Sequence, residues 1–251
     1  MTTAVLDWLN RKGKSAGVRL TQLTGKSPDR IHPKHLIDFP GQHWYLDRLR
    51  PEDLVLDLGC GHGAHLARTS AVCREIIGVD RDVAALRIAR RRPGITRHSV
   101  VAWDLRNPLP WRTARFTAIL CLDLLEHIDD RQALLRECHR VLIPGGRLFL
   151  SVPNRTTRWR DRLRRAGRFS FADPDHRVEY TREELLAEID HAGFTTITPL
   201  DPVVYDTPWA GLIDTLGGLS LTLYRILSRW KRNRALREPD ESTGFRVVCR
   251  T

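Results

Sequence analysis

No stretch of this chain reaches the roughly 18 consecutive apolar residues that a membrane span requires. Its opening, MTTAVLDWLNRKGKS, places no apolar run behind its charges, so no secretory leader is expected. The five cysteines, Cys60, Cys73, Cys121, Cys138 and Cys249, are odd in number and lack C-x-x-C pairing. That argues against zinc ribbons and disulfide staples. Three of them sit in apolar or strand-like contexts, as small buried hydrophobes do, and reduced thiols point to the cytosol. Internal repeats and low-complexity tracts are missing too, which removes solenoids and disordered tails. What remains is a folded chain, cytoplasmic, soluble or peripheral at the inner face of a membrane. Its 251 residues can bury roughly 70–75% of the unfolded surface in one core.

Positive charge is in excess: Lys and Arg number 41 against 30 acids, for a formal net charge of +11. The bases cluster near the start at Arg11, Lys12, Lys14 and Arg19, at Arg87 to Arg92, at Arg155 to Arg168 and at Arg225 to Arg237. Nucleic acid, anionic lipid and diphosphate-linked substrates would all be attracted, although an arginine-rich composition alone gives the same count. No RNA-binding module accompanies the charge, so nucleic acid is not the favoured partner.

The segment Val55 to Gly63, VLDLGCGHG, carries the most chemistry. Val55, Leu56 and Leu58 read as a buried strand. Gly59, Gly61 and Gly63, with Cys60 between them, read as a sharp strand-to-helix turn that lets backbone approach a ligand. Asp57 is the odd residue, because a buried carboxylate costs several kcal/mol unless it is paired, and a cationic ligand group would pair it. Gly59, Gly61 and Ala64 also satisfy the relaxed G-x-G-x-x-G/A spacing of a dinucleotide site. Asp57 decides between the two, since an anion there suits the ammonium of a methionine moiety better than a pyrophosphate. The cofactor expected is S-adenosylmethionine.

Further strands follow. EIIGVD ends at Asp80, about 20 residues beyond the glycines, where an acid accepts the ribose hydroxyls, with Arg81 beside it. Val100 to Trp103 lead to Asp104, which can accept from the adenine amino group, and to Leu105 for apolar contact. Phe116 to Leu122 form a fourth strand, with Leu122 at its cofactor end, and Arg147 to Val152 a fifth after the Pro144-Gly145-Gly146 turn.

These motifs, with DLLEHI (Asp123 to Ile128) and LIPGGRLFLSVPN, resemble those of class I S-adenosylmethionine-dependent methyltransferases over roughly residues 52 to 154. The resemblance implies a Rossmann-like α/β fold, a seven-stranded and mostly parallel sheet with helices on both faces and the last strand antiparallel. The flanks IHPKHLIDF (Ile31 to Phe39), DPDHRVEYTREEL (Asp173 to Leu185) and AGF (Ala192 to Phe194) resemble methyltransferases of bacterial surface-polysaccharide and glycolipid assembly.

The organisation expected is a helical cap over 1–45, broken by Pro28, Pro33 and Pro40, and a catalytic domain over 46–251. A charged insertion occupies about 155–180. Thr181-Arg-Glu-Glu is a capping box that starts a helix, and Gly193 ends it. A sixth strand is expected at Thr195 to Thr198 and a seventh at Phe245 to Arg250. Between them Leu212, Leu216, Leu219, Leu223, Leu227 and Trp230 recur at helical spacing, an amphipathic helix over about 212–230 with a basic end. It either packs on the domain or a second subunit, as in a homodimer, or lies on an anionic membrane through 212–237.

Methyl transfer to a hydroxyl needs alignment and a base; a metal is optional. His176 and then His127 are the candidate bases, since histidine titrates near neutrality. Either could be structural instead: His127 as support for the loop above the cofactor, His176 by tying the insertion through Glu179. His32 and His35 read as a turn in the lead-in. Asp173, Asp175 and His176 have metal-ligand types, but consecutive loop acids are normally solvated, so no metal is expected. The acceptor expected is a small molecule or a lipid- or glycan-linked one: a sugar hydroxyl first, a quinone or other lipid as the alternative, RNA third. A cofactor-binding scaffold without catalysis is the reading from outside the enzymes.

Overall fold

The computed structural model describes residues 2–27, 32–37, 43–92, 94–95 and 99–251. Pro28 and Pro40, and the ends of the flank at Ile31 and Phe39, lie outside them, as does the side chain of His35. The chain divides into two compact units: Met1–His43, Asn154–Pro174 and Asp201–Gly244 form one, and Trp44–Pro153, Asp175–Leu200 and Phe245–Thr251 the other.

The second unit is built on a sheet. Its strands are β1 (Leu54–Leu58), β2 (Glu75–Asp80), β3 (Val100–Ala102), β4 (Phe116–Leu122), β5 (Leu142–Pro153), β6 (Thr195–Thr196) and β8 (Gly244–Arg250). They lie in the order β3-β2-β1-β4-β5-β8-β6. The pairs β1–β2, β1–β4, β2–β3 and β4–β5 are parallel, and β8 runs antiparallel to β6. Crossover helices α2 (Ala64–Thr69), α3 (Val83–Ala89) and α4 (Arg131–Val141) return the chain between parallel neighbours. A sheet covered on both faces demands strands that are apolar on both sides, and all five residues of β1 are buried, four of them apolar and the fifth Asp57.

Two cores result. Leu56, Leu58, Ile119, Leu148 and Leu150 face one cluster with Phe245 and Val247, while Val55, Leu120 and Phe149 face another with Tyr45 and Leu66. On α4, Leu134, Leu135, Cys138 and Val141 are buried at the spacing of one helix face, and Asp130 caps its start by accepting from the Ala133 N–H at 2.9 Å. The capping box of α6 (Arg182–His191) is present in both directions: Thr181 Oγ1 accepts from the Glu184 N–H at 3.1 Å, and Glu184 accepts from the Thr181 N–H at 2.9 Å. Gly193 follows at φ +87°. All five cysteines are free, four of them buried. The sixth strand is shorter than expected, ending at Thr196, because Thr198 turns its hydroxyl to accept from the Val248 N–H at 3.0 Å.

The first unit is helical: α1 (Thr3–Leu23), α5 (Arg158–Arg165), α7 (Ala210–Leu219) and α8 (Leu221–Arg237), with the two-residue strand β7 (Asp201–Pro202). Helices α1 and α7 approach backbone to backbone. A Cβ on Gly13 would lie 2.4 Å from the Gly211 carbonyl carbon, and one on Gly17 2.4 Å from the Asp214 carbonyl oxygen. The single amphipathic helix expected over 212–230 is instead two. Ser220 leaves helical geometry at φ −147°, ψ 111° and caps α8 by accepting from the Leu223 N–H at 3.3 Å. The buried positions are Ile213, Gly217, Tyr224 and Ser228, one position round the helix from the leucine stripe that the spacing singles out, and Leu227 of that stripe packs beside Ile213 and Tyr224.

Candidate active site

The glycine turn closes on the neighbouring strand. Gly59 and Cys60 both donate to the Val79 carbonyl, at 2.8 and 3.0 Å, and Gly63 donates to Cys60 at 2.9 Å. Gly59 sits at φ +69°, where an added Cβ would press to 2.9 Å on the Leu124 side chain. Gly61 sits at φ +50° with nothing within 4 Å of such a Cβ, so its bare backbone borders open space. Its N–H donates to Asp80 Oδ2 at 2.8 Å, and Asp80 Oδ1 accepts from Asp82 N–H at 2.9 Å. The ribose candidate is thereby locked to the glycine turn. Arg81 is exposed beside it.

Asp57 is 2% exposed, and its Oδ2 has no hydrogen-bond partner among the described residues. Burial, reinforced by the charge of Asp80, pushes it up to about 8. Cys60 is buried and its thiol is likewise raised by burial. Tyr45 is fully buried, close enough to Asp57 to feel its charge, and its hydroxyl meets His65 Nδ1 at 2.6 Å. Sequence reading missed this Tyr45–His65 pair. The signal for it is faint: one histidine in the helix that follows the glycines.

Asp104 stands just past β3, but its carboxylate is forked by Arg106, whose Nε lies 3.0 Å from each oxygen. That guanidinium holds Asp104 down at about 2. An adenine amino group would compete with Arg106 for it. Leu105 and Leu122 are half-buried.

Past β4, Asp123 takes φ +50°, rare for a non-glycine residue, and its Oδ1 accepts from Ser151 Oγ at 2.8 Å. The turn that follows presents Glu126 inward at 2% exposure and His127 outward. The chain after 174 returns alongside, held by the Arg177 N–H donating to the Glu126 carbonyl at 2.7 Å. This brings the two histidines together, with ring centroids 4.8 Å apart and edge to face. His176 Nδ1 lies 2.8 Å from Oε1 of the fully buried Glu179, and its Nε2 lies 3.9 Å from Glu126 Oε1. A carboxylate facing Nδ1 accepts a hydrogen bond from Nδ1–H, which keeps the proton on that nitrogen and the lone pair on Nε2, the arrangement a base needs. The tie through Glu179 expected of a structural histidine is therefore present, and it leaves the base role open. His127 Nδ1 lies 3.3 Å from the Asp175 carbonyl. Burial, then the charges of Asp123 and Glu179, push Glu126 up to about 8. Glu126, His127 and His176 also offer ligand atoms within 4.8 Å of one another, a set able to hold a divalent cation. This differs from the Asp173, Asp175 and His176 grouping that adjacency in the sequence suggests.

A family model described as a methyltransferase domain matches residues 34–198. The chain belongs to the methyltransferase-domain family. This methyltransferase domain depends on S-adenosylmethionine, and the site fits that group: Asp57 Oδ2 is an orphaned buried acceptor for an ammonium, and Gly61 leaves room at the turn. The chain is 32% identical over 106 residues to a ubiquinone biosynthesis O-methyltransferase of Pseudomonas aeruginosa, covering 40% of this chain and 44% of that one. It is 34% identical over 142 residues to a protein of Mycolicibacterium smegmatis named as a probable S-adenosylmethionine-dependent methyltransferase, covering 56% of this chain and 51% of that one. The chain spans about half the length of these curated relatives. Its fold matches that of an S-adenosylmethionine-dependent methyltransferase from Archaeoglobus fulgidus, with TM-score 0.56, 18% identity, and coverage of 83% and 90% of the two chains.

Proposed function

We propose that the protein transfers the methyl group of S-adenosylmethionine to a hydroxyl oxygen of a sugar or lipid-linked glycan intermediate. The observation that carries this is the His176–Glu179 pair at 2.8 Å beside the turn that ends β4. Ligands of open α/β sheets bind outside the carboxyl ends of the strands, and this base stands there. The sulfonium supplies an activated methyl. Asp57 and Asp80, with the turn from Gly59 to Gly63, would bind and orient its carrier, and Asp104, Leu105 and Leu122 would border the adenine. His176 would take the hydroxyl proton at Nε2, with His127 packed on its ring. The sugar acceptor rests on the resemblance of the flanks. The quinone alternative draws support from the O-methyltransferase relative. A lipid-anchored acceptor also calls for a cytoplasmic enzyme that touches the inner face of the membrane through 212–237.

A second reading follows from the cluster of Glu126, His127 and His176, whose ligand set fits a divalent cation that would bind the acceptor oxygen. One experiment addresses both. Lipid-linked sugars and quinols are incubated with S-adenosylmethionine, with and without chelator, and products are weighed by mass spectrometry. Methylated sugar lipid formed at full rate under chelation is expected. Methylated quinol only would replace the acceptor, loss of activity restored by a divalent cation would replace the base, and no product from either class would overturn the reading.

A further inference from the structure

The long helices of the first unit turn every acid inward. Helix α1 has one, Asp7, α7 has one, Asp214, and α8 has none. Asp7 is 3% exposed and held by Arg11 at 3.0 Å and Arg168 at 2.6 Å. Asp214 is 6% exposed and bound by His32 and Tyr224, both at 3.2 Å. The outer faces carry the reverse. On α7, Leu212 and Leu219 are 52% and 53% exposed, and on α8 Ile226 and Trp230 are 58% and 47% exposed. Arg225, Arg229 and Arg237 stand exposed among the α8 residues, with no carboxylate on that helix to neutralise them. Trp230 is steadied by Arg234, whose guanidinium lies 5.8 Å from its ring and 4.2 Å from that of Tyr205. An open groove lined by Ile226, Arg229, Trp230, Asn233, Arg234, Arg237 and one acid, Glu238, runs along this face, and Arg158 and Arg234 both engage Glu238. The outer face of α1 has the same make-up: Trp8, 56% exposed, with Lys12 and Arg19.

A solvated helix normally mixes charges of both signs. A two-fold contact between copies through this face would set the patch of Arg225, Arg229 and Arg237 against an identical positive patch. Aliphatic side chains such as Leu212, Leu219 and Ile226 offer a nucleic acid neither a hydrogen bond nor a stacking plane. Apolar side chains with tryptophan, rimmed by arginines that outnumber the single, already paired Glu238, match the boundary between headgroups and acyl chains of an anionic membrane.

We propose that the outer faces of α7 and α8 dock on an anionic phospholipid surface, with the α1 face as a second patch of the same kind. Leu212, Leu219, Ile226 and Trp230 enter the acyl boundary while Arg225, Arg229 and Arg237 meet lipid phosphates. The lipid-anchored acceptor gives this contact its purpose, but the docking does not depend on it, and its test uses neither cofactor nor acceptor.

The whole chain is floated with vesicles of phosphatidylcholine alone or with phosphatidylglycerol added, and its oligomeric state is measured by sedimentation. Binding only to the anionic vesicles is expected. Replacing Arg225, Arg229 and Arg237 together by Gln should weaken it roughly 100-fold, and added salt should weaken it as well. Ile226→Ser with Leu219→Ser should abolish it while the circular dichroism melt stays in place, since both side chains are more than half exposed. No flotation, equal binding to neutral vesicles, binding indifferent to the variants, or a dimer dispersed by the double Ser variant in place of vesicle binding would each overturn the proposal.

Discussion

Asp57→Asn separates what the fold needs at the end of β1 from what the ligand needs. The wild-type carboxyl rises from 3.8 to about 8 on folding, a difference worth about 6 kcal/mol at most when fully expressed. A raised value means that the folded state holds the proton more tightly. The group's stabilising contribution is thus complete below 3.8 and is lost as pH climbs from there through about 8. The amide is isosteric and neutral at every pH, so it escapes that loss. Urea unfolding without ligand should show the variant close to wild type at acid pH and more stable by about 2–5 kcal/mol above pH 8. With S-adenosylmethionine the gap should narrow or close. Wild type gains about 2.7 kcal/mol at a hundredfold excess over Kd, and the variant, without an anion for the ammonium, should gain little. Titration calorimetry beside NADH completes the test. A variant that is equally unstable at both pH values and still binds the cofactor would refute the assignment of Asp57.

Two further substitutions test other parts of the site. Glu179→Gln leaves a partner for His176 but no longer dictates which ring nitrogen carries the proton. It should lower kcat roughly 10–100-fold with KM little changed, and a parallel rise in KM would indicate a merely structural tie. Thr181→Ala removes one half of the capping box of α6 and should cost about 1 kcal/mol in denaturant unfolding, with cofactor affinity unaltered.

Legibility in the sequence followed locality. The buried strand, the glycine turn, Asp80 at its strand end and the capping box at Thr181 each rest on a few adjacent residues whose backbone chemistry allows little else. Expectations that reached across the chain fared unevenly. His127 and His176 are 49 positions apart and were singled out separately; only the fold sets their rings 4.8 Å from one another. Glu126 was invisible as a buried carboxylate, because its burial comes from the returning segment near Arg177 and not from its own neighbours. Tyr45 and His65 flank β1 in the sequence and meet through packing in the fold. Helical spacing ran straight through Ser220, since periodicity does not register a residue that stops one helix and caps the next. Arg106, two residues beyond Asp104, was a readable warning that the carboxylate has a partner already.

The central claim is that methyl transfer ends on oxygen with His176 as the base. Its most direct measurement uses S-adenosylmethionine labelled in the methyl carbon, a lipid extract of the cells that make this protein, and nuclear magnetic resonance of the product. A methoxy signal formed by wild type, and formed at least about 100-fold more slowly by His176→Ala with cofactor binding intact, is the predicted result. A label found on nitrogen or carbon, or a His176→Ala variant that makes the methoxy product at the wild-type rate, would contradict it.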